Sequence, residues 1–221
     1  MKEDIPEKGA ALQRDHSTFA IAPHSPGGLI SVNDFKKVVD VAEKYKASAM
    51  KITSAQRIAI IGVQEEDIDV MWKELEMAVG HIIGVCVRMV KFCPGTTWCR
   101  HGKQDAVGMG MKLDRLYHGY CLPAKFKIGV AGCKHACTAP AVKEIGLCGR
   151  SDGWTLMAGG NCGARPRIGD VIAKGIDDET AMDITQRIVA FFETCDWAKK
   201  MRLARVIEKI GFDEFKRAIG V

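Results

Sequence analysis

Four of nine cysteines stand in two tight pairs, CPGTTWC at 93–99 and GCKHAC at 132–137. Nothing else in the sequence constrains the fold as strongly. Four thiols serving one site would force two loops to meet across 33 intervening residues. The spacing is Cys93-x5-Cys99 and Cys133-x3-Cys137. Structural zinc sites usually take their ligands in closer pairs, C-x2–4-C, and an x5 pair lies outside that habit. A thioredoxin-type dithiol needs C-x-x-C, which the chain lacks. Cysteines arriving from different directions on two loops, each at the end of an apolar run, suit a cubane [4Fe–4S] cluster. Spacing favours that reading and leaves zinc and a dithiol open behind it.

Composition bounds the setting. With 221 residues, 47% hydrophobic and 27% charged, the chain can build one core or two small ones. It has no run of 18 apolar residues, so no membrane span is expected. The opening MKEDIPEKGAALQRDHS is charged and without an apolar stretch, so no signal peptide is expected and the cytoplasm is the default compartment. In a reducing compartment clustered cysteines bind metal or act in redox chemistry. Cys86, Cys148 and Cys195 sit among apolar neighbours and read as inert buried thiols, while Cys121 and Cys162 are ambiguous. The net charge of +5 suits an anionic substrate or an acidic electron carrier. Lysines and arginines are scattered, with no basic run interleaved with aromatics, so nucleic-acid binding is not expected.

Hydrophobic periodicity divides the chain in two. Residues 1–16 read as a polar arm, TFAIAP as a strand and SPGG as a turn. SVNDFKKVVDVAEKY places Phe35, Val38, Val39 and Ala42 on one helical face, with Ser31 or Asn33 as the cap. SAMKIT and RIAIIGV read as strands, and EEDIDVMWKELEMAVG as a helix with Ile68, Met71 and Leu75 inward. The second part opens with the strand GVCVRMVKF leading into Cys93. A helix around 104–119 and the strand KFKIGVAG leading into Cys133 follow. VKEIGLCG and WTLMAGG are two further strands, GGNCGARPRIGD is a loop, and the tail, DDETAMDITQRIVAFFETCDWAKK and then RLARVIEKIGFDEFKRAIG, is helical with a break at Gly211. The pattern is α+β, and no tandem repeat is present.

The surroundings of the cysteines are as informative as their spacing. The pair C-x5-C … C-x3-C resembles the signature of the sirohaem-dependent sulfite and nitrite reductases. SPGGLISVNDF is similar to that family's PGG turn and helix, and KITSAQRIAIIGV to its pattern of basic residue, Thr and Gln before an apolar strand. LPAKFKIGVAGC resembles the segment ahead of the third cysteine, and IGLCGRSDGWTLMAGGNCGARPR the glycine- and arginine-rich stretch after the fourth. RLARVIEKIGFDEFKRAI has the family's C-terminal look, so the resemblance covers about residues 18–219.

That resemblance implies an N-terminal ferredoxin-like half-lobe over 17–85, packed on a C-terminal α/β lobe over 86–221 that carries sirohaem and the cluster and ends in a helical tail. Cys93, Cys99, Cys133 and Cys137 would hold the [4Fe–4S] cluster, with Cys137 also the axial ligand of the haem iron. Lys51, Thr53, Gln56, Arg57, Asn161, Arg165 and Arg167 would meet the carboxylates of the sirohaem. Lys125 and Lys127, two apart and so on one face of a strand, would grip sulfite, with Arg88 as a third cation. The implied reaction is the six-electron reduction of sulfite to sulfide. Nitrite reduction and a non-catalytic sirohaem–cluster electron carrier are the alternatives.

The chain shows no flavin or nicotinamide fingerprint, so electrons are expected from a ferredoxin-like or other external donor. It departs from the family at Ala22, where a basic residue is usual and His24 stands nearby, and at Lys134-His135 between the last two cysteines. Large relatives fuse two copies of the unit, one giving the lysines and the other the cysteines. Here one segment, KFKIGVAGC, carries both, which points to a homodimer.

Overall fold

The computed structural model describes residues 2–195 and 201–221, and the DWAKK segment expected to be helical lies outside them. The chain forms two compact units, Met1–Gly84 and Val85–Val221.

Antiparallel pairing organises the first unit. Strands β1 (Ala11–Leu12), β2 (Phe19–Ile21), β3 (Ala49–Ile52) and β4 (Ile58–Val63) form one sheet in the order β1-β2-β4-β3. Helix α1 (Val32–Lys44) starts at Ser31, whose Oγ accepts the backbone N–H of Asp34 at 3.0 Å. Helix α2 (Ile68–Leu75) buries Ile68, Met71 and Leu75 at the expected helical spacing. These close on Phe19, Ile21, Ile60 and the α1 residues Val38, Val41 and Ala42.

Two expectations shift here. The buried stripe of α1 runs through Val38, Val41 and Ala42, and Phe35 is 45% exposed, so the face is rotated by part of a turn. The polar arm is partly structured, because Ala10 is buried and β1 pairs with β2. Sequence patterning misses such a two-residue strand, since its stability comes from the sheet it joins.

In the second unit a five-stranded sheet runs β5-β6-β7-β8-β9. Its strands are β5 (Val87–Phe92), β6 (Phe126–Ala131), β7 (Ile145–Arg150), β8 (Gly153–Ala158) and β9 (Asp170–Ile176). The first three are parallel and the last two antiparallel. A parallel neighbour requires a crossover, and the β5–β6 connection carries α3 (Gly95–Trp98) and α4 (Ala106–Tyr117). Helices α5 (Asp178–Glu193), α6 (Leu203–Ile210) and α7 (Phe212–Ala218) follow, the last two meeting at Gly211. Patterning overlooked α3 and β9: one is a single turn inside the cysteine loop, and the other's DVIAKGI alternates too weakly to stand apart from its neighbours.

The alternation of β6 sorts its side chains. Phe126, Ile128 and Val130 are fully buried against the helices, in one cluster with Phe92, Leu113, Ile145, Leu147, Trp154 and Phe192. Lys125, Lys127 and Gly129 therefore take the opposite face. Segment Thr138–Glu144 crosses that face. A Cβ on Gly146 would lie 2.2 Å from the Pro140 carbonyl oxygen, so only glycine permits the crossing. Cys86, Cys148 and Cys195 are buried, and Cys121 and Cys162 exposed.

Candidate active site

Both cysteine loops leave the same edge of the sheet, because β5 and β6 are adjacent and parallel and Phe92 pairs with Val130. Cys93 is the first residue after β5, and its N–H donates to the Val130 carbonyl at 3.2 Å. Cys99 closes α3, its N–H donating to Gly95 at 3.0 Å. Cys133 lies two residues beyond β6 and is buried, whereas Cys137 is exposed.

The loops meet backbone to backbone. A Cβ on Gly132 would stand 2.6 Å from Gly95 Cα, and one on Gly102 would stand 2.5 Å from Gly95 C, so side chains there would drive the loops apart. The N–H groups of Lys103 and Gln104 both donate to the Gly132 carbonyl, at 2.7 and 3.0 Å. The Gly132 N–H is turned onto Cys93 Sγ at 3.1 Å, a hydrogen bond that would stabilise a thiolate. Ala136 and Ala139, on either side of Cys137, both hold left-handed backbone at φ 51°. An L-residue pays roughly 1–2 kcal/mol for that conformation, so the surrounding fold imposes the path of this loop.

Among the described residues, no three His, Cys, Asp or Glu side chains converge as the ligands of one metal ion would. A four-iron cube is gripped at its corners and asks for the wider spread that two opposed loops offer. The four thiols, carried on two loops that meet, are the donor set such a cluster would take. A cavity of about 980 Å³ with Cys133 in its wall is strongly basic and suits an anionic group, and none of the seven residues expected to meet sirohaem carboxylates lines it. Arg100, Lys103, Lys134, Arg150 and Lys174 line it against a single acid, Asp152. His135 also lines it, edge-on to His101 at 5.1 Å, and the Arg100 Nε–H donates to His101 Nε2 at 3.1 Å. The Lys134-His135 departure thus forms part of a basic wall.

A second cationic group lies at the other end of β6. Lys125 and Lys127 are half-buried, and Arg88 stands at the irregularity between Val87 and Met89 on the neighbouring strand. Burial first, then the charges of Lys127, Arg88 and Arg202, bring the Lys125 amine down to about 8, with Glu144 opposing them. Burial likewise lowers Lys143, with help from Lys127 and Lys91. Sequence reasoning missed Glu144 and Arg202. Glu144 carried a signal, a carboxylate directly ahead of the apolar run IGLCG, whereas nothing marked Arg202 within its helical segment.

The other expected residues are distributed as follows. Lys51 is exposed on β3, and Thr53, Gln56 and Arg57 form the tight turn to β4, closed by the Thr53 N–H to the Arg57 carbonyl at 2.8 Å. Ser25 of the PGG turn donates to the Gln56 carbonyl at 3.4 Å, so the two motifs meet within the first unit. Arg57 is buried, and burial together with Arg57 and His24 lowers the proton affinity of His81. In the second unit Asn161 pairs with Arg167 across a short loop, its amide donating to the Arg165 carbonyl at 2.9 Å. Arg167 is shared among the Gly159 carbonyl at 2.9 Å, Asp170 at 2.5 Å and Glu208 at 3.6 Å. Arg165 reaches Glu208 at 3.6 Å and is largely exposed.

Comparison with known proteins agrees with this geometry. Residues 83–221 match the model of the nitrite and sulphite reductase 4Fe-4S domain, and 11–78 that of the nitrite/sulfite reductase ferredoxin-like half domain. The chain is 39% identical over 212 residues to an assimilatory-type sulfite reductase of Nitratidesulfovibrio vulgaris, covering 96% of this chain and 97% of that one. It is 37% identical to the large subunit of the Escherichia coli NADH nitrite reductase, covering 95% of this chain but only 25% of the relative. A dissimilatory sulfite reductase structure superposes with a TM-score of 0.82 at 13% identity, covering 92% of this chain and 69% of that one, a likeness of fold. The α+β architecture with a ferredoxin-like half domain is therefore the one the motifs implied. By its motifs, its paired cysteine loops and these matches, the chain belongs to the nitrite and sulphite reductase family.

Proposed function

We propose that this protein reduces sulfite to sulfide, taking six electrons from an external, acidic carrier such as a ferredoxin. The observation that carries the reading is the division of β6. Its far end delivers Cys133 and Cys137 beside Cys93 and Cys99, and its near end presents Lys125 and Lys127 beside Arg88. The end-to-end likeness to an assimilatory-type sulfite reductase favours sulfite. The nitrite reductases it resembles are about four to six times as long as the part this chain matches, and nitrite is the second substrate to test.

Cys93, Cys99, Cys133 and Cys137 would hold a [4Fe–4S] cluster, with the exposed Cys137 shared with the sirohaem iron. Lys51, Thr53, Gln56, Arg57, Asn161, Arg165 and Arg167 would meet the sirohaem carboxylates. When bound, the coupled cluster and haem supply stored electrons and a metal to hold the substrate sulfur. The protein's own residues do the rest. Arg88, Lys125 and Lys127 neutralise the anion, and a lysine ammonium titrating near 8 can release a proton at neutral pH as each oxygen leaves as water.

The lysines and cysteines are well separated along the strand. Six residue steps from Lys127 to Cys133 span about 20 Å at ~3.3 Å each, too far for one strand to serve both sides of one iron. A homodimer, in which each chain's lysines complete the partner's site, resolves this. No helix among the described residues is long and apolar enough to cross a membrane, and thiol ligands of this kind persist in a reducing cytoplasm.

The test uses protein purified without oxygen, with cluster and haem present, and reduced viologen as donor. Sulfite consumption with matching sulfide release is expected, lost in Lys125→Ala and Lys127→Ala while both cofactors stay bound. A protein that shows cluster absorption and no haem band refutes the reading. A monomer that keeps full activity on dilution refutes the dimer.

A further inference from the structure

Among the described residues, Glu144 is the acidic side chain that acts on the cationic end of β6, and it is fully buried just ahead of β7. One carboxylate oxygen, Oε2, accepts the backbone N–H of Lys127 at 2.9 Å. On that side of β6 the sheet ladder begins only at Ile128–Ile145, so Glu144 secures the strand one residue before the sheet can. The other oxygen, Oε1, takes both the Nε and an Nη of Arg202, which caps the start of α6 and stays about a quarter exposed.

A buried ion pair contributes little to net stability, because desolvation of both charges offsets their attraction. Its location is the informative fact: it ties an arginine and the lysine strand to one carboxylate. Arg88, Lys127 and Arg202 all act on the Lys125 amine, and these four cations against the Glu144 carboxylate leave a surplus of three positive charges. Such a surplus, held half-buried, is arranged for a small multiply charged anion.

We propose that Glu144 is a positioning residue of the anion site and that it holds Arg202 there as a fourth cation, beside Arg88, Lys125 and Lys127. The inference rests on the sulfite-reductase reading above.

The experiment compares Glu144→Gln, Arg202→Lys and the double variant Glu144→Gln/Arg202→Gln in the cofactor-loaded protein. It reads KM and kcat for sulfite, and separately the sulfite dissociation constant from the change in haem absorption without a donor. In Glu144→Gln the amide oxygen can still accept from Lys127, but the hold on Arg202 is lost. KM and the dissociation constant are expected to rise together about tenfold, with kcat falling less than about threefold, the signature of lost anion binding. Arg202→Lys keeps the charge without the fork, and about a threefold rise is expected.

The double variant leaves no lone buried charge, so it folds even where a single variant does not. It should match Glu144→Gln. A folded, loaded double variant with KM and dissociation constant within about twofold of the parent overturns the proposal. If the parent protein does not turn over sulfite, the functional reading falls, and the dissociation constants still decide the role of Glu144 and Arg202.

Discussion

On the proposed reading, raising the pH from 7 to 9 should switch off one of the charges that would hold the substrate. Burial and three neighbouring cations bring the Lys125 amine from 10.5 to about 8. About nine-tenths of Lys125 is then charged at pH 7 and about one-tenth at pH 9. An unfolded chain keeps that proton up to 10.5, and the folded one only to about 8. Between those values the unfolded state binds more protons, so folding stability rises with pH through that window.

Keeping the amine charged at neutral pH therefore costs the fold some stability, reduced by the solvent that still reaches the half-buried amine. If affinity follows the charged fraction, KM for sulfite rises about tenfold between pH 7 and 9. Sulfite ionises over part of the same range, so the assay is run in parallel on Lys125→Arg, whose guanidinium stays charged throughout. The ratio of the two KM values cancels the substrate's own titration. A ratio that stays flat from pH 7 to 9 refutes the claim that a depressed Lys125 binds the anion.

Other outcomes follow from the cysteine loops and the core. Gly132→Ala places a methyl group 2.6 Å from Gly95 Cα, so protein purified without oxygen should lose most of its labile sulfide, measured against protein concentration. Cys137→Ser removes an exposed thiol that carries no packing, so thermal unfolding of the cofactor-free protein should move little. The same change should abolish the coupled cluster–haem signal in the EPR spectrum. Trp154→Ala empties a fully buried site and breaks the 2.6 Å bond from the indole N–H to Asp178. It should cost about 3–5 kcal/mol in urea unfolding.

Much of the second unit was legible because its strands are short apolar runs with marked ends. GVCVRMVKF and KFKIGVAG each run into a cysteine, and the structure makes them adjacent parallel strands, β5 and β6. Helix α2 was legible for the same reason, with three apolar residues at one spacing. Phe35 was misjudged because helical spacing names a stripe without saying which of two overlapping stripes the sheet will cover. β1 and β9 owe their conformation to neighbours and left little trace in local pattern. Glu144 and Arg202 are 58 residues apart, and no local rule pairs a carboxylate with a distant guanidinium.

The strand that carries the lysines has its register set on both sides, by β5 and by β7. Phe126, Ile128 and Val130 are fully buried on one face, and Lys125 and Lys127 alternate with them onto the other. A slip of one residue would send both lysine side chains into the apolar cluster and bring the phenyl ring out, at a cost comparable with the stability of a typical domain. The same register sets where Cys133 and Cys137 emerge, and Gly132 then fits against Gly95 with no room for a side chain. Core packing, the placement of the lysine charges and the placement of the thiols are therefore three consequences of one alignment. The apolar cluster enforces that alignment, so the chemistry at both ends of β6 is positioned by residues that take no part in it.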